Sequence, residues 1–365
     1  MGAIGSVKFV NKEKNLFFPT LKKRIDQYFK ENNLSKNGNS TMVLKTIILL
    51  SMYLIPIALV VTIAMPIWAQ MLLWIVAGIG MAGVGMSIMH DANHNAYSKN
   101  PKANLLLGAT LNLCGGSIFN WNIQHNIMHH TYTNINGMDE DIEDKLVLRF
   151  NPHTPVKWYH KLQWLYAFLF YGILTLYWVL LKDLVQFVKY QKNGVNKNTT
   201  KQNIWIFTKI TLMKLFYFGF IIVVPSVLPY LLGYLLMHFV AGNILTTTFQ
   251  LAHTVDETSH PLPNETGVIE NDWAIHQMNT TVNFSRKSKL ISWYVGGLNF
   301  QVEHHLFPYI SHVHYPAISE IVKQTALEHN VPYLDNTTLA DALRSHLRAL
   351  QKFGRLPNIN EAIAG

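Results

Sequence analysis

Cysteine is almost absent: Cys114 is the only one in 365 residues. That excludes an intramolecular disulfide framework and any thiolate-based zinc or iron–sulfur site. Charge is also scarce, at 14% of residues against 49% hydrophobic. This is more apolar material than a globular core of ordinary composition requires, so part of it is expected to face lipid. The charge present leans basic, with 30 Lys and Arg against 21 Asp and Glu. These residues lie in blocks beside apolar runs rather than in aromatic-interleaved patches, which favours a membrane surface as partner and no nucleic acid. The N-terminus is basic and polar through about residue 40 and lacks the pattern of a cleavable signal peptide, so the first apolar segment is expected to remain in the protein. Repeats, low-complexity tracts and a second globular domain are lacking too.

Long apolar runs are what the chain does have. Residues 42–64 make one run of roughly 34 Å if helical, enough for the hydrocarbon core, and 67–89 make a second. The link Met65-Pro66 permits only a tight turn, so the two form a hairpin that returns the chain to its starting side. Lys8, Lys12, Lys14, Lys22, Lys23, Arg24, Lys30 and Lys36 place that side in the cytoplasm. A second hairpin is expected from 209–228 and 230–250, delivering His253 to the same face. The runs at 105–119 and 163–181 have both ends flanked by polar segments expected on the cytoplasmic side, and are read as interfacial. The expected fold is all-α: an integral membrane protein of four transmembrane helices in two hairpins, with interfacial helices and a cytoplasmic helical cap. Residues 42–335 form the domain, 1–41 a basic cytoplasmic segment and 336–365 a C-terminal tail.

Histidine is over-represented, with seventeen. Three clusters stand out: His90-Asp-Ala-Asn-His94, His125-Asn-Ile-Met-His129-His130, and Gln301-Val-Glu-His304-His305. On α-helices the i, i+4 pairs His90/His94 and His125/His129 each share a face and so can share a metal. The adjacent third histidine, His130, points about 100° away and reaches toward a second metal. Gln301 stands three residues before His304, where its amide oxygen can ligate weakly or through water. His253 follows the last apolar run directly and joins the set. Isolated histidines such as His153, His160, His260, His329 and His346 are expected to be ordinary surface or core residues, and His238 a hydrogen-bonded group within the bundle. Asp91 and Glu303 are candidates to orient neighbouring imidazoles. The acidic run Asp139, Glu140, Asp141, Glu143, Asp144 is read as a solvated loop in preference to a direct metal ligand, with hydrogen bonds to the ligand histidines or to a substrate nitrogen as the alternative.

Eight histidines exceed the roughly four ligands of a zinc site, so two metals fit better. Imidazole alone does not choose between iron, zinc, copper and nickel. Chemistry does: a site at a membrane surface facing an acyl chain meets unactivated C–H bonds, which no acid–base side chain deprotonates, and an oxidant made from O2 by a redox metal is required.

At these residues the sequence resembles the membrane fatty-acid desaturase family, whose three histidine boxes bind two irons on the cytoplasmic side. The likeness extends over about residues 42–335. Trp121-Asn-Ile-Gln-His125, Gln250-Leu-Ala-His253 and Gln301-Val-Glu-His-His-Leu-Phe-Pro308 are especially similar to bacterial and cyanobacterial front-end desaturases without a fused cytochrome b5 domain. The resemblance implies a di-iron centre on His90, His94, His125, His129, His130, His253, His304 and His305, with O2 as co-substrate. It implies a cis double bond placed between the carboxyl end and an existing one, as in delta-5 or delta-6 enzymes. The acyl substrate would be a CoA ester or a lipid. The chain carries no His-Pro-Gly-Gly haem motif, so electrons are expected from a separate ferredoxin or cytochrome b5. A bacterial inner membrane is the expected location. The competing readings are a di-iron acyl hydroxylase or oxygenase of the same superfamily and a zinc-dependent membrane hydrolase.

Overall fold

The structure is a computed structural model that describes residues 7–144, 147–223 and 228–357. Its elements are helices, apart from two parallel pairs of two-residue strands, Lys8–Phe9 with Val268–Ile269 and Asn283–Phe284 with Asp335–Asn336. The chain divides into two compact units, each gathered from separated segments.

One unit comprises Asn39–Ile123 and Phe168–Thr247. The helix Ser40–Thr62 is capped by the Asn39 side chain, which accepts from the Thr41 amide. After Met65-Pro66 the chain returns in Ile67–Gly83. The two helices pack so closely that a Cβ on Gly80 would lie 2.4 Å from the Tyr53 nitrogen, which is why glycine stands there. Their outward residues Val43, Leu44, Ile47, Leu54, Ile55 and Leu72 are exposed apolar side chains, as a lipid-facing surface requires. The second helix continues through a π-helical segment, Val84–Met89, into His90–Asn93. The stretch at 105–119 is broken into Pro101–Gly108 and Thr110–Leu113, followed by a turn at Gly115, whose φ is +82°.

Among the described residues four helices are long and apolar enough to cross a membrane: Ser40–Thr62, Ile67–Asn93, Trp158–Lys192 and Pro229–His253. Three of these cover the runs expected at 42–64, 67–89 and 230–250. The 163–181 run lies inside Trp158–Lys192, a continuous helical stretch of 35 residues that far exceeds its apolar middle. The segment expected at 209–228 is represented by the helix Thr200–Val223; residues 224–227 lie outside the described set.

The other unit comprises Met1–Gly38, Gln124–Ala167 and Thr248–Gly365. Its core is apolar and sits around the helix Gln301–Leu306. Phe17, Leu21, Ile25 and Phe29, spaced four apart on the helix Phe17–Glu31, pack with Phe300, Val302, Leu306, Phe307, Ile318 and Val322. The N-terminal stretch, read from sequence as a basic surface segment, thus contributes a buried face beneath its lysines. The helix Leu339–Phe353 likewise buries Ala342, His346, Ala349, Leu350 and Phe353. Arg149 fixes this helix's end by donating to the Leu356 carbonyl at 2.9 Å and to that of Phe353.

Candidate metal centre

The second histidine cluster lies on a π-helical segment, Asn122–His129, that passes into the short helix His130–Tyr132. The α-helical spacing expected from sequence would turn His130 away from His125. A π-turn instead closes between residues five apart. His125 Nε2 and His130 Nε2 accordingly lie 3.3 Å from each other, and all three imidazoles converge. His253 ends the helix Leu228–His253, and His304 and His305 sit on Gln301–Leu306.

In the unit that contains them, ring centroids are 4.7 Å apart for His129 and His253, 4.8 Å for His129 and His305, and 4.9 Å for His253 and His305. Each of these three residues offers a ligating atom, and the three atoms lie within 4.8 Å of one another. His130 lies 4.6 Å from both His304 and His305, ring to ring. In the other unit, His90 and His94 have rings 4.8 Å apart, and Trp121 stands edge-on to both at 5.8 and 5.5 Å.

The nitrogens facing away from the cluster are held by hydrogen bonds. His129 Nδ1 donates to Asp139 Oδ2 at 2.9 Å and His125 Nδ1 to Asp141 Oδ2 at 2.8 Å. His305 Nδ1 donates to Gln277 Oε1 at 2.8 Å and His253 Nδ1 to the Thr280 carbonyl at 3.3 Å. His304 Nδ1 meets the Tyr315 hydroxyl at 3.2 Å. Once Nδ1–H is engaged, the lone pair resides on Nε2, which is how proteins orient imidazole toward a metal. Among the described residues the buried Nε2 atoms of His129 and His253 have no hydrogen-bond partner. Buried polar atoms are ordinarily satisfied, so this arrangement asks for a Lewis acid. With thiolates lacking, the donor set fits imidazole-bound transition metal.

Asp139 and Asp141 take the alternative role considered for the acidic run, hydrogen bonds to the histidines. The run that contains them is not a solvated loop: Asp139 is buried, and its carboxylate also receives the amides of Asn134 and Asp141 at 3.0 Å. The left-handed turn at Asn134, φ +61°, folds the run back onto the histidines. Burial lowers the His129 pKa, but the Asp139 charge and hydrogen bond outweigh it and the net shift is upward.

Glu303, one of the two residues read as orienters, is committed to other partners. Glu303 is fully buried, and its oxygens accept from Asn283 Nδ2 at 2.8 Å and Tyr333 OH at 2.9 Å. Burial pushes its carboxyl up to about 7. Asp91 is buried in the other unit. Gln301 is buried, with an amide nitrogen that has no partner among the described residues. Trp273 Nε1 donates to the His130 carbonyl at 3.2 Å. Arg286 is committed to Asp335 at 2.9 Å and Glu320 at 3.0 Å.

A sequence model of the fatty acid desaturase family matches residues 66–337. Among curated proteins, an sn-1 linoleoyl-lipid 6-desaturase of Synechocystis is 34% identical over 355 residues, covering 96% of this chain and 98% of the relative. The sn-1 linoleoyl-lipid 6-desaturase of Arthrospira platensis is 32% identical, covering 93% of each chain. An acyl-lipid (8-3)-desaturase of Physcomitrium patens is 35% identical, covering 96% of this chain and 74% of the relative.

Proposed function

The chain belongs to the fatty acid desaturase family, and from that premise we propose that it is a front-end acyl-lipid desaturase working at a histidine-ligated di-iron centre. That it is a membrane oxidoreductase acting on fatty acyl chains follows from the family and from its desaturase relatives. The finer reading adds the metal, the substrate's head group and the position of the new bond. Its main support is the imidazole trio His129, His253 and His305, gathered from three separate segments with their ligating atoms within 4.8 Å.

In this reading His125, His129, His130, His253, His304 and His305 act together with His90 and His94 as iron ligands, and Gln301 contributes through its amide. The bound irons supply the activation of O2 that an unactivated C–H pair requires. The protein's part is geometric. Asp139, Asp141, Gln277, Tyr315 and the Thr280 carbonyl fix the imidazole tautomers. Apolar packing around Val302 and Leu306 holds the third box rigid and dry. A lipid-borne rather than CoA-borne chain is supported by the relatives, which are acyl-lipid and linoleoyl-lipid enzymes. Front-end regiochemistry is supported by the same relatives and by Gln301. Electrons come from a separate small redox protein, and the site faces the cytoplasm, on the side of the N-terminal lysines, in a bacterial inner membrane.

The test is expression in a host supplied with saturated, mono-unsaturated and di-unsaturated chains, with mass-spectrometric location of new double bonds. A new bond on the carboxyl side of an existing one, missing in His129→Ala, is the expected result. A hydroxylated product, or no product from iron-loaded protein with a competent donor, overturns the reading.

A further inference from the structure

Two buried charges lie far in sequence from any histidine box. In the unit made of Asn39–Ile123 and Phe168–Thr247, Lys214 and Asp183 are both buried, and Lys214 Nζ stands 2.7 Å from Asp183 Oδ2. An ion pair withdrawn from water costs more than it returns unless its remaining hydrogen-bonding capacity is used. Here it is used. Lys214 Nζ also donates to the Gly115 carbonyl at 2.7 Å and to the Trp178 carbonyl at 2.5 Å. Trp178 opens the π-helical segment Trp178–Lys182, a winding that disturbs the ordinary backbone ladder and often marks a functional position. Asp183 receives the Ser117 amide on Oδ2 at 3.1 Å, and its backbone carbonyl accepts from Asn120 Nδ2 at 2.7 Å.

Every one of these bonds ends on the turn Gly115–Asn120 or on the π segment. The turn has no slack: Gly115 has φ +82°, and a Cβ there would meet Val179 Cγ2 at 2.5 Å. The next residue is Trp121, whose amide donates to the Ser117 carbonyl at 2.9 Å and whose indole stands edge-on to both His90 and His94. A continuous path therefore runs from the ion pair through Ser117 and Asn120 to the ring that the two imidazoles lean on.

We propose that Asp183 and Lys214 are positioning residues for the first histidine box, acting through Asn120 and Trp121 on the orientation of His90 and His94. The inference rests on the reading of those histidines as iron ligands. It explains why a lysine and an aspartate are retained in an apolar unit where a pair of leucines would pack: the apolar replacement keeps the helices together but releases the turn.

Four variants of the full-length enzyme, purified in detergent, separate positioning from simple stabilisation. Asp183→Asn and Lys214→Met each leave a buried charge or donor uncompensated and are expected to lower thermal stability. The double variant Asp183→Leu with Lys214→Met removes both charges and is expected to recover it. Under the proposal the double variant nevertheless loses iron to a chelator faster by about tenfold, and kcat falls with KM unchanged. Trp121→Leu, which keeps the pair intact, is expected to show the same iron loss and the same kcat defect. A double variant that folds and keeps iron and kcat at the parent level reduces the pair to a structural strut. If the double variant does not fold, normal iron retention in Trp121→Leu overturns the proposal by itself. Failure of the underlying reading looks different, because the parent enzyme itself then holds no iron.

Discussion

The second and third histidine boxes belong to one unit of the molecule and are held in place by opposite means. The second is tied by charge. Its imidazoles donate to Asp139 and Asp141, carboxylates supplied by a loop that folds back on the segment it has just left. The third is tied by packing. Val302 and Leu306 flank His304 and His305 within the apolar core, and the Nδ1 atoms of these imidazoles meet neutral groups, Gln277 and Thr133 at His305 and Tyr315 at His304. A carboxylate makes an imidazole a stronger donor to metal, whereas packing fixes where the ring sits without changing its basicity. One site thus draws electronic tuning from one box and rigidity from the other.

Removing an imidazole on either side is expected to erase the contrast: His129→Ala and His305→Ala should both abolish desaturation, measured as new double bonds in cellular lipid. Stability should then separate the boxes. Leu21→Ala opens a cavity in the core beneath the third box and is expected to cost about 3 kcal/mol, read from thermal unfolding in detergent. Asp139→Asn, which sets an NH2 group against one buried amide, should cost less stability than Leu21→Ala but weaken iron binding by roughly 10- to 100-fold, read by chelator competition. Gln277→Leu removes a neutral partner and should cost less iron affinity than Asp139→Asn in the same assay. Equal losses would show that charge at the second box adds nothing beyond orientation.

The smallest expected effect is on acid sensitivity. Burial lowers the pKa of His276 and His346 to about 4, and each bonds a backbone carbonyl close after a histidine of the candidate site, those of Thr133 and Thr254. Their folded pKa values lie below the unfolded value, so the unfolded state binds more protons as pH falls. The stability they confer is complete above about pH 6.5 and declines toward pH 4, by about 1 kcal/mol for each at pH 5.5. Unfolding midpoints at pH 7.5 and 5.5, compared with His346→Gln, check this; a midpoint independent of pH in both proteins would contradict it.

Much of the site was legible because its information is local. Short clusters of one residue type at helical spacing, placed beside apolar runs, identify His90, His94, His125, His129, His130, His304 and His305 without any knowledge of packing. The hairpin at Met65-Pro66 was legible for the same reason. The partners of those histidines were legible only as an alternative reading of the acidic run, or not at all. Asp139 follows His129 by ten residues and reads as one acid in a charged loop until a left-handed turn at Asn134 brings it back. Gln277 and Thr280 sit in a stretch with no motif of their own, and Lys214 lies 31 positions from Asp183 in a run that reads simply as apolar.

By itself, then, the sequence determined a helical membrane protein of the desaturase family and the histidine clusters that could hold a metal, because these depend on composition, on periodicity and on the donor atoms each residue type carries. Only the tertiary structure decided how those side chains are aimed. The π-winding that turns His130 back toward His125 leaves no sequence signature, since it arises where packing and hydrogen bonds overrule the α-helical ladder. The buried Asp183–Lys214 pair and the carboxylates behind the second box are likewise contacts between distant segments, and a charge discloses whether it is solvated or committed only once the chain has folded around it.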